Sequence, residues 1–217
     1  MEIFNWFVET LSTNFYFQVV VFATIFALFS YISKGKTPST TMNKTYCLTL
    51  ASLLIALSIV LTRFASAVIP LGGLPALRIG LGPIPIIIAS LVLGPHWGFA
   101  VGAVADVVGV TLFPQGSPIF LIFVAQGLYG VLPHYFKLLF KGNSFINFLF
   151  TVSLTQLITG FITTIGLAHA FGWPLWEAYF LRLPTQLTLM ILYSITVFLL
   201  NKIVQPVVAH RIVTHRR

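Results

Sequence analysis

Long apolar runs, separated by short polar or glycine- and proline-rich breaks, dominate the chain. A helix needs about 20 mostly apolar residues to cross a bilayer, and seven runs approach that length. They lie at roughly 12–33, 45–69, 79–94, 97–113, 118–140, 145–171 and 183–205. The pattern predicts an all-α integral membrane protein with seven spanning helices and no room between them for a soluble domain.

A polar linker at 34–43 separates the first run from the other six. The break predicts two units: an extra N-terminal transmembrane helix with its linker at 1–41, and a six-helix membrane domain at 42–217. Glu2 and Glu9 precede the first run, where a signal peptide would carry basic residues, and no cleavage-site pattern follows it. We therefore expect a retained helix.

The composition agrees with a membrane protein. The 217 residues are 58% apolar and only 7% charged, whereas a soluble domain carries about 25% charged residues. An ordinary cytosolic enzyme, a disordered chain and a nucleic-acid-binding module are thereby excluded. The single cysteine, Cys47, leaves no intramolecular disulfide and no cysteine-based metal site.

The positive charges predict the topology, because lysine and arginine concentrate in cytoplasmic loops. With seven spans, Arg63, Arg78 and Arg182 fall on one side and every other basic residue falls on the opposite side. This places the N-terminus outside and the C-terminus in the cytoplasm. The basic residues of the cytoplasmic side are Lys34, Lys36, Lys44, Lys137, Lys141, Lys202, Arg211, Arg216 and Arg217.

The three outer arginines oppose the topological rule and need a compensating reason. A guanidinium group is a planar donor matched to carboxylates, so together they predict an outward-facing anion-binding pocket. The alternative is that each side chain extends to the outer headgroups. Arg78 lies in a glycine- and proline-rich segment, 71–85, that we expect to be re-entrant.

Asp106 is the only acidic residue deep in a predicted span, and ionisable groups at that depth usually face a cavity or a partner. Asp106 either accepts a hydrogen bond from a ligand, such as the aminopyrimidine edge of a heterocycle, or forms an ion pair with Arg63 or Arg78. In the break at 113–118 (FPQGSP), Gln115 and Ser117 either contact a ligand or cap the next helix.

Other polar and aromatic positions have two interpretations each. Polar groups within the spans form interhelical hydrogen bonds, and one or two of them contact a ligand; Gln126 and Gln186 belong to this set. Trp173 and Trp176, before the last span, form either an interfacial aromatic belt or a stacking platform for a planar ligand. The small-residue stripe of the second span packs internally or docks another membrane protein; it comprises Ala51, Ser52 and Ala56.

Sequence motifs for catalysis are missing. The chain contains no G-x-x-x-x-G-K-[ST], H-E-x-x-H or G-x-S-x-G, so we expect no ATPase or other enzymatic activity, no metal and no cofactor. A proton-coupled carrier usually needs a relay of acids in the membrane, and only Asp106 is present. A binding function that draws its energy from other chains fits best. A stand-alone carrier using Asp106 and a membrane enzyme acting on lipid-linked substrates are the alternatives.

Two stretches carry a family resemblance. Residues 78–118 (RIGLGPIPIIIASLVLGPHWGFAVGAVADVVGVTLFPQGSP) and 163–186 (TTIGLAHAFGWPLWEAYFLRLPTQ) resemble the substrate-binding S component of energy-coupling factor (ECF) vitamin transporters, specifically the folate family. The similarity covers about 44–205. It implies a six-helix substrate-binding domain in the bacterial cell membrane that captures a vitamin from outside. It also implies a transmembrane T component and two cytosolic ATPase subunits as partners.

The resemblance also implies roles for particular segments. The small residues Ala51, Ser52 and Ala56 match the stretch that packs on the T component, and the loops at 64–79 and 113–118 match those that cover the ligand. Folate is the expected ligand, and pantothenate, hydroxymethylpyrimidine and pyridoxine are the alternatives. The expected substrate-binding residues are Arg63, Arg78, Asp106, Gln115, Ser117, Gln126, Trp173 and Arg182.

Overall fold

The computed structural model describes residues 43–71, 74–114 and 118–214, together with two helical positions at 20 and 24. Side chains are described at 43–66, 80–114 and 118–204. The predicted N-terminal helix and its boundary with the six-helix domain lie outside the described residues, apart from those two positions, and stay predictions.

Helices make up most of the described chain. Four of them, α1, α3, α6 and α7, are long and apolar enough to cross a membrane, and the shorter α2 is equally apolar. The elements are α1 Lys44–Arg63, β1 Ser66–Leu71, β2 Leu74–Gly80, α2 Pro83–Leu93, α3 Pro95–Leu112, α4 Phe120–Tyr129, α5 Leu132–Leu139, α6 Phe145–Phe171 and α7 Leu175–Thr214. Since α4 and α5 together occupy the single predicted span at 118–140, the prediction of a six-helix membrane core is confirmed.

One segment departs from the all-α prediction. The second span ends at Arg63 and not at 69, and the chain then forms an antiparallel hairpin of β1 and β2, in which Ser66 pairs with Gly80 and Val68 with Arg78. The re-entrant interpretation of 71–85 is therefore wrong. Pro70 falls where the register shifts, between Ile69 and Leu71, because proline has no N–H to contribute to the ladder.

The hairpin is anchored to the helices where it leads into α2. The Ser58 hydroxyl on α1 donates to the Gly82 carbonyl at 2.9 Å, and the Tyr193 hydroxyl on α7 donates to the Gly80 carbonyl. A Cβ at Gly82 would lie 1.8 Å from the Thr62 hydroxyl oxygen, so a larger residue here would require the Thr62 side chain to move. These contacts fix the C-terminal end of α1 beside the start of α2.

The core surrounds α2, which packs against α1, α3 and α7. Nearly all of its side chains are buried, with Ile87 and Leu93 at 0% exposure. An 11-residue helix is short for a spanning segment, but protein covers it on every side. Ser90, also on α2, accepts a hydrogen bond from the His134 backbone N–H of α5 at 3.2 Å.

Glycines bring α3 into backbone contact with the junction of α4 and α5. A Cβ at Gly98 would lie 2.0 Å from the Gly130 carbonyl oxygen, and one at Gly130 would lie 1.9 Å from the Gly98 carbonyl oxygen. A Cβ at Gly102 would lie 2.2 Å from the Gln126 carbonyl oxygen. The glycine face of α3 therefore serves internal packing. The predicted single span at 118–140 is broken at Gly130, where this crossing occurs.

The last helix is longer than the sequence pattern predicts. It begins at Leu175, where the predicted span begins at 183, and it runs through Pro184. The Pro174 carbonyl accepts a hydrogen bond from the backbone N–H of Ala178 in the first turn. This extension places the start of α7 beside the end of α6, so Arg182 lies within a helix rather than at its end.

Candidate functional site

A cleft opens between α1, α2, α3 and α4, at the end of the bundle that carries the hairpin. It is small and partly open to the surroundings, with a cavity volume of about 10 Å³, which is room for about one water. Its lining combines hydroxyl, guanidinium, carboxylate and amide groups with two apolar side chains. The lining residues are Ser58, Thr62, Arg63, Ile86, Ala105, Asp106 and Gln126.

Arg63 and Asp106 bring opposite charges together in this cleft. Arg63 is the last residue of α1 and is half-buried, whereas Asp106 on α3 is only 9% exposed. The Arg63 guanidinium lies over Gly109, where a Cβ would lie 3.2 Å from Nε. Gly109 follows Asp106 by three residues and shares its face of α3. The two side chains therefore attract each other across the cleft.

Gln126 adds a vacant acceptor to the same cleft. Its side chain is half-buried, and no described residue donates a hydrogen bond to its buried Oε1 atom. Its backbone is held in place by the close approach to Gly102. The cleft thus offers a cation for an anionic group, a carboxylate for a hydrogen-bond donor, and an amide oxygen for a second donor.

A second group of polar side chains lies between α4, α6 and α7. The Tyr129 hydroxyl donates to Gln156 Oε1 at 2.5 Å, and Arg182 Nη1 donates to the Thr164 hydroxyl at 3.0 Å. The polar cluster, as we call this group, consists of Tyr129, Gln156, Thr164, Arg182 and Gln186. All of its members except the half-buried Arg182 are buried.

Of the eight predicted substrate-binding residues, Arg63, Asp106 and Gln126 come together in the cleft. Arg182 lies in the polar cluster instead, where its Nη1 atom donates to the Thr164 hydroxyl of α6. Trp173 is half-buried after α6 and stacks on Phe171 with ring centroids 5.1 Å apart. These five placements leave the roles themselves as predictions.

The remaining three residues are not placed to the same extent. Arg78 is described by its backbone on β2, and Gln115 and Ser117 lie outside the described residues.

Sequence reasoning did not single out Tyr129 or the two cleft hydroxyls of Ser58 and Thr62 as site residues. The available signal for the two hydroxyls was their spacing: Ser58 and Thr62 are four residues apart on the helix that ends at Arg63, so they share one face.

The predicted docking stripe on α1 is split between two faces. Ala51 is 2% exposed and packs in the core, so its inclusion in an external surface is wrong. Ser52 and Ala56 are exposed and lie one turn apart. They form a shallow strip between larger exposed side chains, among them Leu53 and Leu57. A docking role for this pair stays a prediction.

Comparisons with known proteins agree with this architecture. The family described as "ECF transporter, substrate-specific component" matches residues 47–213. The folate transporter FolT of Clostridium novyi (strain NT) is 37% identical over 94 residues, which cover 42% of this chain and 52% of that protein. The alignment thus spans about half the length of this relative.

Two solved structures share the fold. A crystal structure of FolT bound with folic acid has a TM-score of 0.58 and 25% identity, covering 71% of this chain and 92% of that one. The S component of a bacterial ECF transporter has a TM-score of 0.58 and 20% identity, covering 76% and 98%. Since the family match spans most of the sequence and includes every helix that lines the cleft, the chain belongs to the substrate-specific components of ECF transporters.

Proposed function

We propose that this chain is the S subunit of an ECF transporter and that it binds folate from outside the cell. The observation that carries the proposal is the cleft in which Arg63, Asp106 and Gln126 converge at the hairpin end of the bundle. The similarity to a FolT structure bound with folic acid supports this choice of ligand. Pantothenate, with one carboxylate, is the competing ligand.

The charges of the cleft suit the carboxylate end of folate. The Arg63 guanidinium offers a fork of donors to a ligand carboxylate, and Asp106 lies beside that guanidinium and attracts it. Arg78, Gln115, Ser117 and Trp173 stay predicted contacts of the same ligand. Because Asp106 also attracts Arg63, a ligand carboxylate competes with Asp106 for the same cation.

The orientation of the chain follows from its charges. Arg63, the hairpin and the connection after α3 share one end of the bundle, and Lys44, Lys137, Lys141 and Lys202 lie towards the other. We propose that the lysine-rich end faces the cytoplasm. A T component and two ATPase subunits then act on the loaded protein, so ATP is hydrolysed on those chains and not on this one.

The direct test is to identify the molecule that this protein carries. The chain, purified from membranes of its host without added vitamin, is analysed by mass spectrometry of the released small molecules and then titrated with folic acid and pantothenate. We expect a folate to co-purify and folic acid to bind with sub-micromolar affinity. A different vitamin, or turnover of a lipid-linked substrate by the purified chain, contradicts the proposal.

A second prediction concerns the exposed strip of α1. Ala56→Trp should prevent assembly with the T component, because small residues allow the close helix contact that a large ring blocks. Folic acid binding should stay within about two-fold of the original, since Ala56 points away from the cleft. The matched control is Leu192→Trp, at an exposed position of α7. Assembly is measured by co-purification, and retained assembly of Ala56→Trp would exclude this face.

A further inference from the structure

Two lysine amines lie on aromatic rings at the end of the bundle opposite the hairpin. Lys137 Nζ of α5 is 3.9 Å from the centroid of the Phe148 ring, and Lys202 Nζ of α7 is 4.4 Å from that of the Phe198 ring. The two rings contact each other, with their centroids 5.6 Å apart. The lysine–phenylalanine cluster, as we call these four residues, therefore joins α5, α6 and α7 and places two cations around one pair of rings.

The turn between α5 and α6 holds the first of these amines. Lys137 Nζ also donates to the Gly142 carbonyl, and Asn147 Nδ2 donates to the Lys141 carbonyl at 2.9 Å. Phe148 is 1% exposed, so its ring is a fixed platform. A lysine loses much side-chain entropy when it is ordered, and here contacts within the protein have already ordered Lys137 before any ligand binds.

The acidic residues of the chain lie away from this cluster. Among the described side chains they are Asp106, in the cleft, and Glu177, in the first turn of α7. Both belong to the part of the bundle towards the hairpin. Glu2 and Glu9 precede the N-terminal run and are predicted on the outer side of the membrane. An anion that complements the two lysines therefore comes from another molecule.

The cluster lies at the level of lipid headgroups. Trp176, beside the start of α7, is 64% exposed, as expected of an aromatic residue at a membrane interface. Lys202 follows Leu175, the first residue of α7, by 27 positions, which corresponds to about 40 Å of helix. The bilayer with its headgroups is about 40–45 Å thick. A helix that starts at one interface thus brings Lys202 to the headgroups of the other.

Large apolar side chains flank the cluster. Leu138 and Leu139 of α5 are 59% and 70% exposed, and Ile203 of α7 is 64% exposed. They follow Lys137 and Lys202 directly in the chain. Acyl chains cover such side chains, whereas a soluble anion or the charged surface of an acidic protein leaves their apolar area in water. A phosphate that carries acyl chains therefore fits this surface better than a soluble anion does.

We propose that the lysine–phenylalanine cluster binds the phosphate of an anionic phospholipid such as phosphatidylglycerol. An ammonium group has three donors, and the Gly142 carbonyl takes one from Lys137, so donors of both lysines are left for the phosphate. The exposed leucines contact the acyl chains. The site lies at the opposite end of the bundle from Arg63, so this inference does not depend on which vitamin the cleft binds.

The test counts lipids bound to the purified full chain. The protein in a zwitterionic detergent is titrated with phosphatidylglycerol and, separately, with phosphatidylcholine, whose headgroup has no net charge. Native mass spectrometry measures the bound fraction, and we expect phosphatidylglycerol to bind more tightly. Lys137→Gln/Lys202→Gln should weaken its binding by about 10- to 30-fold, because both charges are lost. Phosphatidylcholine binding should not change.

Two comparisons separate the cluster from positive charge in general. Lys137→Gln and Lys202→Gln should each weaken phosphatidylglycerol binding by about five-fold. Lys44→Gln, at an exposed lysine of the same end outside the cluster, should change it by less than about two-fold. Lys137→Arg/Lys202→Arg keeps both charges and should retain binding. Folic acid affinity and the melting temperature without lipid should be the same in all these variants, which shows that the fold is kept.

Three results would overturn the inference. Unchanged phosphatidylglycerol binding in the double glutamine variant removes these amines from a lipid site, and if that variant no longer assembles with the ATPase subunits, the occupant is an acidic protein surface. A loss in Lys44→Gln as large as in Lys202→Gln shows attraction by the whole surface. Displacement of the lipid by excess inorganic phosphate shows a site for a soluble anion.

Discussion

Arg63→Ala is expected to weaken folic acid binding by about 100-fold, which corresponds to roughly 3 kcal/mol. Removing one partner of a desolvated charge pair costs the interaction with the ligand and leaves the other charge without compensation. Here the other charge is Asp106, which is 9% exposed. The variant therefore loses the donor for the ligand carboxylate and gains an uncompensated carboxylate in the cleft.

Asp106→Asn distinguishes these two contributions. The amide keeps the shape of the side chain and removes its charge, so the double variant Arg63→Ala/Asp106→Asn should bind better than the sum of the two single losses predicts. Arg63→Lys keeps the charge without the planar fork and should lose about 10-fold. Calorimetric titration of the purified variants with folic acid measures all four.

Two outcomes contradict this account. Unchanged affinity in Arg63→Ala would remove Arg63 from the site, and strictly additive losses would show that Asp106 and Arg63 act independently. Transport by Asp106→Asn in assembled complexes adds a further comparison. Full uptake by that variant counts against a stand-alone carrier that moves protons through Asp106.

Gly98→Ala is expected to destabilise the protein more than any substitution in the cleft, by about 3 kcal/mol. The added Cβ would lie 2.0 Å from the Gly130 carbonyl oxygen and 2.8 Å from the Ser90 Cα atom. Both are backbone atoms, so no side chain can rotate away and the helices must separate. The reciprocal variant Gly130→Ala meets the Gly98 carbonyl at 1.9 Å and should behave in the same way.

Thermal unfolding of the purified protein in detergent measures this effect. Thr111→Ala is the matched control on α3, because its exposed hydroxyl bonds only carbonyls of its own helix, and its stability should stay within about 0.5 kcal/mol. A melting temperature of Gly98→Ala equal to that of the original would show that α3 and the junction of α4 and α5 are not in backbone contact.

The sequence predicted the candidate site residues and, as one alternative, an ion pair of Asp106 with Arg63 or Arg78, but not which of the eight residues share a cleft. Arg63, Asp106 and Gln126 stood out because each is a polar group in an apolar run. Their convergence requires α1, α3 and α4 to meet, and Arg182 is separated from them because its side chain bonds Thr164 of α6. Ala51 and Ser52 show the same limit, since consecutive helical residues point about 100° apart and only packing decides which one is buried.

The hairpin was missed for a related reason. Its two strands, Ser66–Leu71 and Leu74–Gly80, are apolar and contain proline, glycine and few polar positions. The sequence pattern therefore assigns the first strand to the end of the preceding span and the second to a re-entrant segment. Hydropathy measures how favourably side chains transfer from water to an apolar phase. It does not distinguish a strand from a helix in a short apolar run. The pairing of Ser66 with Gly80 depends on Ser58 and Tyr193 holding the adjoining turn.

By itself the sequence determined the membrane environment and the number of core spans. Those properties depend on the free energy of transferring each side chain from water to lipid. That free energy is determined by the residues of the segment itself. Which helices approach to backbone contact, which face of α1 is exposed and which polar groups share a cleft were decided only by the tertiary structure. They depend on contacts between residues distant in the chain, such as Gly98 with Gly130 and Gln186 with Gly160.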